Sequence, residues 1–162
     1  MTYDRATHNR QSIRLKGYDY SQKGVYFVTI CSHGHESLFG EIILEEMIMN
    51  QIGKILNVQW FQLPSRFYGI QLDAFVVMPN HIHGIISIVE SIPGQTIGKI
   101  IGAYKSLTAN DYIKLCKANN FPIGKLWQRN YYEHIIRDEE DYSRIFEYIE
   151  NNPLKWEEDQ YR

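Results

Sequence analysis

Two imidazoles stand two residues apart in Met78-Pro79-Asn80-His81-Ile82-His83-Gly84. A strand that alternates its side chains would turn both toward one face and Ile82 toward the other. Neutral imidazole is the commonest nitrogen ligand for a divalent ion, so His81 and His83 could share a metal or bracket a phosphate. Two ligands leave such a site incomplete, and the same spacing suits two hydrogen-bonded surface histidines. A second pair, His33-Gly34-His35, falls in a predicted turn where glycine frees the backbone, so it reads as structural. His8 lies in the polar start and His134 is isolated; neither is a first-choice ligand. The final helical pattern supplies further groups. Tyr142, Ile145, Phe146 and Ile149 recur at helical spacing and form the buried stripe, while Tyr148 and Asn152 share one border of it. A phenol there is a potential nucleophile and an amide oxygen a potential third ligand. By themselves these two residues read more plainly as an interfacial tyrosine and a helix terminator before Pro153. Tyr131, Tyr132 and Tyr142 compete for the nucleophile's role.

These side chains need a frame. The chain has 162 residues, 44% hydrophobic and 14% aromatic, enough for one compact core and incompatible with overall disorder. The run 25–31 (VYFVTIC) reads as a buried strand, and 39–49 as a strand returning from it in a hairpin. Asn50 is placed to cap a helix whose apolar positions Ile52, Ile55, Leu56, Trp60 and Leu63 run up to a stop at Pro64. Residues 73–78 and 83–89 form two strands joined through Pro79-Asn80, an antiparallel pair. Thr96 opens a second helix with Ile100, Ile101, Tyr104, Leu107 and Thr108 inward, continuing toward Lys117. Residues 126–136 are mostly extended, and 138–152 form the last helix, stopped by Pro153. Strands and helices mix without strict alternation, so the fold class is α+β with an antiparallel sheet.

A net charge of −2 conceals segregation along the chain. Residues 1–23 carry five basic and two acidic groups, residues 94–137 seven and two, and residues 138–162 three and nine. A polyanion could lie along the basic face, because neutralisation is local. An ordinary mixed surface fits the charges equally well. No apolar run is long enough for a membrane span, and the start MTYDRATHNR lacks the apolar core of a secretory signal. Cys31 and Cys116 have no CxxC spacing and read as reduced core residues. The expected location is cytoplasmic.

Three blocks, RQSIRLKGYDYSQKGVYFVTIC, DAFVVMPNHIHGIISI and LWQRNYYEHIIRDEEDYSRIFEYIENNPLKW, together resemble the REP-associated tyrosine transposases, relatives of the single-tyrosine HUH transposases of small insertion sequences. The likeness runs from residue 12 to residue 156. His81-Ile82-His83 matches the family's histidine–hydrophobic–histidine motif. Tyr148 falls where the family has its nucleophile, and Asn152 where an asparagine or glutamine is the third metal ligand. The resemblance implies a ferredoxin-like antiparallel sheet with helices packed on it, the histidines on a central strand and the tyrosine on a helix across it. The implied function is that of an endonuclease and strand-transferase acting on single-stranded, hairpin-forming DNA through a 5′-phosphotyrosine.

The chemistry is physically coherent. A tyrosine of pKa about 10 is only about a thousandth ionised at neutral pH, so the phosphate must be made more reactive or the proton removed. A divalent ion does the former, and mixed nitrogen and oxygen ligands suit Mg²⁺ or Mn²⁺ better than a closed zinc site. The chain lacks a GxxxxGK loop, and the phosphotyrosine retains the bond energy, so no nucleotide cofactor is expected. DNA contacts are expected from Arg14, Lys16, Lys99, Lys105, Trp127 and Arg129, with rings stacking on unpaired bases. Trp127 and several tyrosines are equally readable as core. The expected organisation is a polar basic segment (1–24), one catalytic domain (25–156) and a short acidic tail (157–162). With only residues 154–162 after the NNP block, the basic start would share DNA binding with the domain. The alternative function is a non-catalytic binder of structured single-stranded nucleic acid; homodimer and monomer both remain open.

Overall fold

The computed structural model describes residues 15–162; Arg14 and His8 lie outside the described residues. The apolar run after the basic start becomes β1 (Gly24–Cys31), with Tyr26, Val28 and Ile30 fully buried on one side. Asn50 caps α1 (Gln51–Phe61): its side-chain oxygen accepts from the N–H groups of Ile52 and Gly53 at 2.9 and 3.0 Å. Pro64 does not stop that helix. It sits in the first turn of a separate short helix, α2 (Leu63–Arg66), where its missing N–H costs nothing. Strands β4 (Ile70–Val77) and β5 (His81–Ile88) pair antiparallel through the expected Pro79-Asn80 connection. Thr96 caps α3 (Ile97–Asn119), which Asn120 ends in the left-handed conformation. Strand β6 (Tyr132–Ile136) and α4 (Glu139–Glu150), capped by Asp138, complete the frame.

Residues 39–49 depart from expectation. They form a small sheet of their own, β2 (Gly40–Ile43) against β3 (Glu46–Met49), and add nothing to β1. Leu44 and Glu45 both take positive φ, the two-residue turn that folds a strand back on itself at once. Both edges of β1 are in any case occupied, by β5 and by β6. The stretch 126–136 is likewise extended chiefly at its end; upstream, Trp127 makes only an isolated bridge to Ser32.

The main sheet runs β4-β5-β1-β6 with every neighbouring pair antiparallel, and β1-α1-β4-β5-α3-β6 is the ferredoxin-like sequence of elements. The α+β class and the helix-covered antiparallel sheet are therefore as the sequence predicts. One face packs on α1 and α3 around Tyr26, Leu56, Trp60, Ile82, Ile86 and Tyr104. The other packs on α4 through Ala74, Ile85, Ile136, Ile145 and Ile149. Among the described residues no helix is long and apolar enough to cross a membrane.

Candidate active site

Strand β5 lies inside the sheet, so its alternation is enforced from both sides. Ile82, Ile86 and Ile88 enter the larger core, and Gly84 shares their face. A Cβ on Gly84 would stand 2.3 Å from Cζ2 of Trp60, so glycine is what lets the indole lie flat on the strand. The opposite face receives His81, His83 and Ile85, beneath α4. Both imidazoles are fully buried, with ring centroids 4.5 Å apart.

Each ring is oriented from its Nδ1 side. Asn80 Nδ2 donates to the carbonyls of His35 (3.2 Å) and Tyr161 (2.6 Å), which fixes the amide so that Oδ1 faces His81 Nδ1 at 2.7 Å. His81 therefore donates from Nδ1 and leaves the Nε2 lone pair free. Thr29, directly opposite His83 in the β1–β5 register, holds His83 Nδ1 at 2.7 Å. Side-chain partners of this kind set tautomer and aim in metal-binding histidines.

Helix α4 brings Tyr148 to the same place. Its phenolic oxygen is 3.3 Å from His83 Nε2, and the two ring centroids are 5.1 Å apart. Phe27 stacks on His83 at 5.3 Å and meets Tyr148 edge-on at 6.2 Å, holding both rings. The helix stops at Glu150, two residues short of the predicted end. Asn152 nevertheless keeps helical dihedrals (φ −60, ψ −42), so its four-residue offset from Tyr148 survives. It is 2% exposed, and its Oδ1 has no hydrogen-bond partner among the described residues.

The segment after Pro153 folds back over these groups. A 3₁₀ turn (Pro153–Glu158) puts Trp156 6.2 Å from the His81 ring, and Tyr161 lies 5.0 Å from His81 and 5.6 Å from His83. Asp159 Oδ1 accepts from the Tyr161 N–H at 2.7 Å, and Oδ2 points at His81 Nε2, 3.7 Å away, with the carboxylate side chain 1% exposed.

Burial sets the electrostatics. Desolvation pulls His81 down to about 4, against the nearby Asp159 and Asn152, which favour its charged form. His83 is pushed well below its ordinary value by burial and then by His81. Both rings are neutral at pH 7, as metal ligation requires. Burial, followed by the charge of Asp159, raises the Tyr148 phenol, while hydrogen bonds to Asn152 and Gln160 oppose the rise. Three buried polar atoms without partners among the described residues, His81 Nε2, Asn152 Oδ1 and Asp159 Oδ2, converge here. One atom each from His81, His83 and Asp159 lies within 4.8 Å of the others. A donor set of two imidazoles, an amide oxygen and a carboxylate fits a divalent cation. An open cleft of about 550 Å³ adjoins Tyr148, lined among others by Phe27, Arg144, Lys155 and Gln160.

The other residues singled out from the sequence scatter. Lys16, Lys99 and Arg129 are exposed. Lys105 is committed to the backbone, its ammonium donating to the carbonyls of Gln128 (2.6 Å) and Arg129 (3.0 Å). Trp127 is corrected to a core residue: it is 8% exposed, packs against Phe39 and Tyr104, and donates from Nε1 to Thr108 Oγ1 at 2.9 Å, so neither ring face is open to a base. His33 and His35 lie in an exposed turn whose His35 carbonyl accepts from Asn80 Nδ2 beside His81, and exposed His134 pairs with Asp141 at 2.6 Å. Thr29, Asn80, Asp159 and Tyr161 were not anticipated. For Thr29 a signal existed, since pairing the two predicted strands places it beside a histidine.

Comparison with known proteins points one way. The family model of the IS200-like transposases matches residues 45–152. An uncharacterised Haemophilus influenzae protein is 43% identical over 177 residues, spanning 98% of this chain and 96% of its own. A second protein of that organism, named as a candidate REP-associated tyrosine transposase, is 24% identical over 144 residues, 85% of this chain and 74% of the relative. Among solved structures, a REP-associated tyrosine transposase bound to a REP hairpin superposes with a TM-score of 0.62 at 21% identity, over 90% of this chain and 74% of that one. A candidate transposase from Deinococcus radiodurans gives 0.53 at 20% identity, over 86% and 97%. At these identities the two structures speak to the fold.

Proposed function

Because the chain belongs to the IS200-like transposase family, whose members act on DNA, we propose that it nicks and rejoins one DNA strand with Tyr148 as nucleophile. The observation that carries the proposal is the phenolic oxygen 3.3 Å from His83 Nε2, beside the unpartnered His81 Nε2 and Asn152 Oδ1. His81, His83 and Asn152 would hold Mg²⁺ or Mn²⁺. Such an ion, when bound, supplies charge stabilisation at the phosphate and at the departing 3′-oxygen.

The protein's own groups do the rest. The phenolic oxygen attacks phosphorus and its proton leaves to solvent through the open cleft, while the bond from phosphorus to the 3′-oxygen breaks and the departing 3′-oxygen takes up a proton from solvent. The products are a 5′-phosphotyrosine and a free 3′-OH. A second 3′-OH then attacks the same phosphorus and releases Tyr148, so the strand is rejoined without an external energy source. Phe27 and the helix fix the direction of attack, which is where positioned groups gain most of their advantage. Nucleophile and proposed ligands come from one chain, so this reading needs no exchanged helix.

The substrate we propose is single-stranded DNA folded into a hairpin with unpaired flanks, in the cytoplasm. A hairpin-bound solved relative of the same fold and the exposed Lys16, Lys99 and Arg129 support it. The test is a denaturing gel with end-labelled hairpin oligonucleotides and Mn²⁺. A protein–DNA adduct should form with the wild type and vanish in Tyr148→Phe or with chelator, while binding by gel shift persists. Binding without any adduct, unaltered by Tyr148→Phe, would instead establish a non-catalytic binder. Cleavage without an adduct would establish a hydrolase that uses water.

A further inference from the structure

The segment carrying Asp159 presents a problem that packing does not solve. Burying a carboxylate against a neutral imidazole is costly unless something positive stands between them. Asp159 Oδ2 is buried, has no hydrogen-bond partner among the described residues and faces His81 Nε2 at 3.7 Å, too far for a hydrogen bond and about what two ligands of one ion require. The geometry around it is built. Oδ1 is held by the Tyr161 N–H, so the carboxylate cannot rotate freely and Oδ2 stays aimed inward. The Tyr161 carbonyl is clamped by Asn80 Nδ2, the same amide whose oxygen orients His81. Trp156 and Tyr161 flank the His81 ring. One asparagine thus ties the position of the strap to the aim of the ligand.

We infer that Asp159 is a fourth metal ligand, carried on the strap formed by residues 156–161, and that an oxygen of the incoming DNA phosphate displaces it. The inference rests on the metal site proposed above and extends it. Two imidazoles and an amide bring no negative charge to a divalent ion, so the ion is under-neutralised until an anion arrives. Asp159 supplies that anion in the resting protein, and the scissile phosphate, a chemically equivalent anionic oxygen, takes over when substrate binds. The exchange leaves the ion's ligand number unchanged. Trp156 and Tyr161 of the strap lie against the histidine rings, so displacement of Asp159 by the phosphate would loosen the strap as substrate arrives.

Asp159→Asn tests this cleanly, because the amide oxygen still accepts from the Tyr161 N–H while the group turned inward loses its charge and ligating power. Mn²⁺ binding is measured by calorimetry on the metal-free full chain, with and without a hairpin oligonucleotide. Without DNA, Asp159→Asn should weaken Mn²⁺ by about tenfold or more, at least the loss seen when a ligand's supporting group is removed. With saturating oligonucleotide the wild type and the variant should bind Mn²⁺ alike, since the phosphate has replaced the carboxylate in both. By linkage, Mn²⁺ should tighten oligonucleotide binding by Asp159→Asn about tenfold or more beyond its effect on the wild type. Equal Mn²⁺ affinity of the two proteins without DNA overturns the inference, and so does a gap that DNA leaves undiminished. His81→Ala with His83→Ala separates the two claims. If that pair abolishes Mn²⁺ binding while Asp159→Asn does not weaken it, the two-histidine site stands and the fourth ligand falls; if the pair changes nothing, both fall.

Discussion

The buried histidines make the metal-free protein sensitive to mild acid. In the unfolded chain an imidazole takes up its proton near pH 6.5, but folded His81 refuses it until about 4. Between those values the unfolded state binds more protons than the native state, so stability falls as pH falls. The gap between the ordinary value and about 4 is worth on the order of 3 kcal/mol across the window, with a slope of about 1.4 kcal/mol per pH unit for this one group. His83, depressed by the same burial and by its neighbour, steepens the same limb. That is a large part of the roughly 5–15 kcal/mol a domain has to lose. The carboxylates of Asp111 and Asp141 are held low by their partners, so their contribution is present above the ordinary carboxylate range and lost only as pH falls below it. Urea unfolding in chelator, from about pH 7 down to about pH 4.5, should show the midpoint dropping steadily. In the double variant His81→Gln, His83→Gln that slope should largely disappear, whatever the change in absolute stability. A flat wild-type profile, or one with the same slope after both replacements, would refute the claim that these rings are held neutral by burial.

Two further outcomes follow from distances in the site. Gly84→Ala, which sets a methyl 2.3 Å from the Trp60 ring, should cost about 1–3 kcal/mol in urea unfolding and disturb the histidine strand; a neutral result would mean that the indole is free to retreat. Asn80→Ala removes the acceptor for His81 Nδ1 and the donor to Tyr161, and should weaken Mn²⁺ binding by about 10–100-fold while leaving His83 in place; unchanged binding would show that His81 needs no orienting partner.

Much of the frame was legible because periodicity reports which face is buried. The alternation that put His81 and His83 together is enforced by β4 on one side of β5 and β1 on the other, and the stripe Tyr142, Ile145, Phe146, Ile149 defined the border on which Tyr148 stands. Strand partnership was less legible. Residues 39–49 have strand character, but only Leu44 and Glu45 at positive φ decide that the partner is the next strand and not β1. Composition also says nothing about burial, and for that reason Trp127, bonded to Thr108 inside the core, passed for a ring that could meet a base. Asp159 and Tyr161 were invisible for a different reason. They follow a 3₁₀ turn with no apolar repeat, and their placement depends on tertiary clamps from Asn80 and on ring contacts, none of which leaves a local pattern.

The sheet distributes its support unequally. The side under α1 and α3 is anchored by a broad aromatic and aliphatic mass, whereas α4 is seated on a few aliphatic side chains with half-open rings at the margin. Regions with little underlying apolar mass open at lower free energy than the rest. The element bearing the phenol is therefore expected to lose its amide protection at a lower free energy than the two helices on the opposite side.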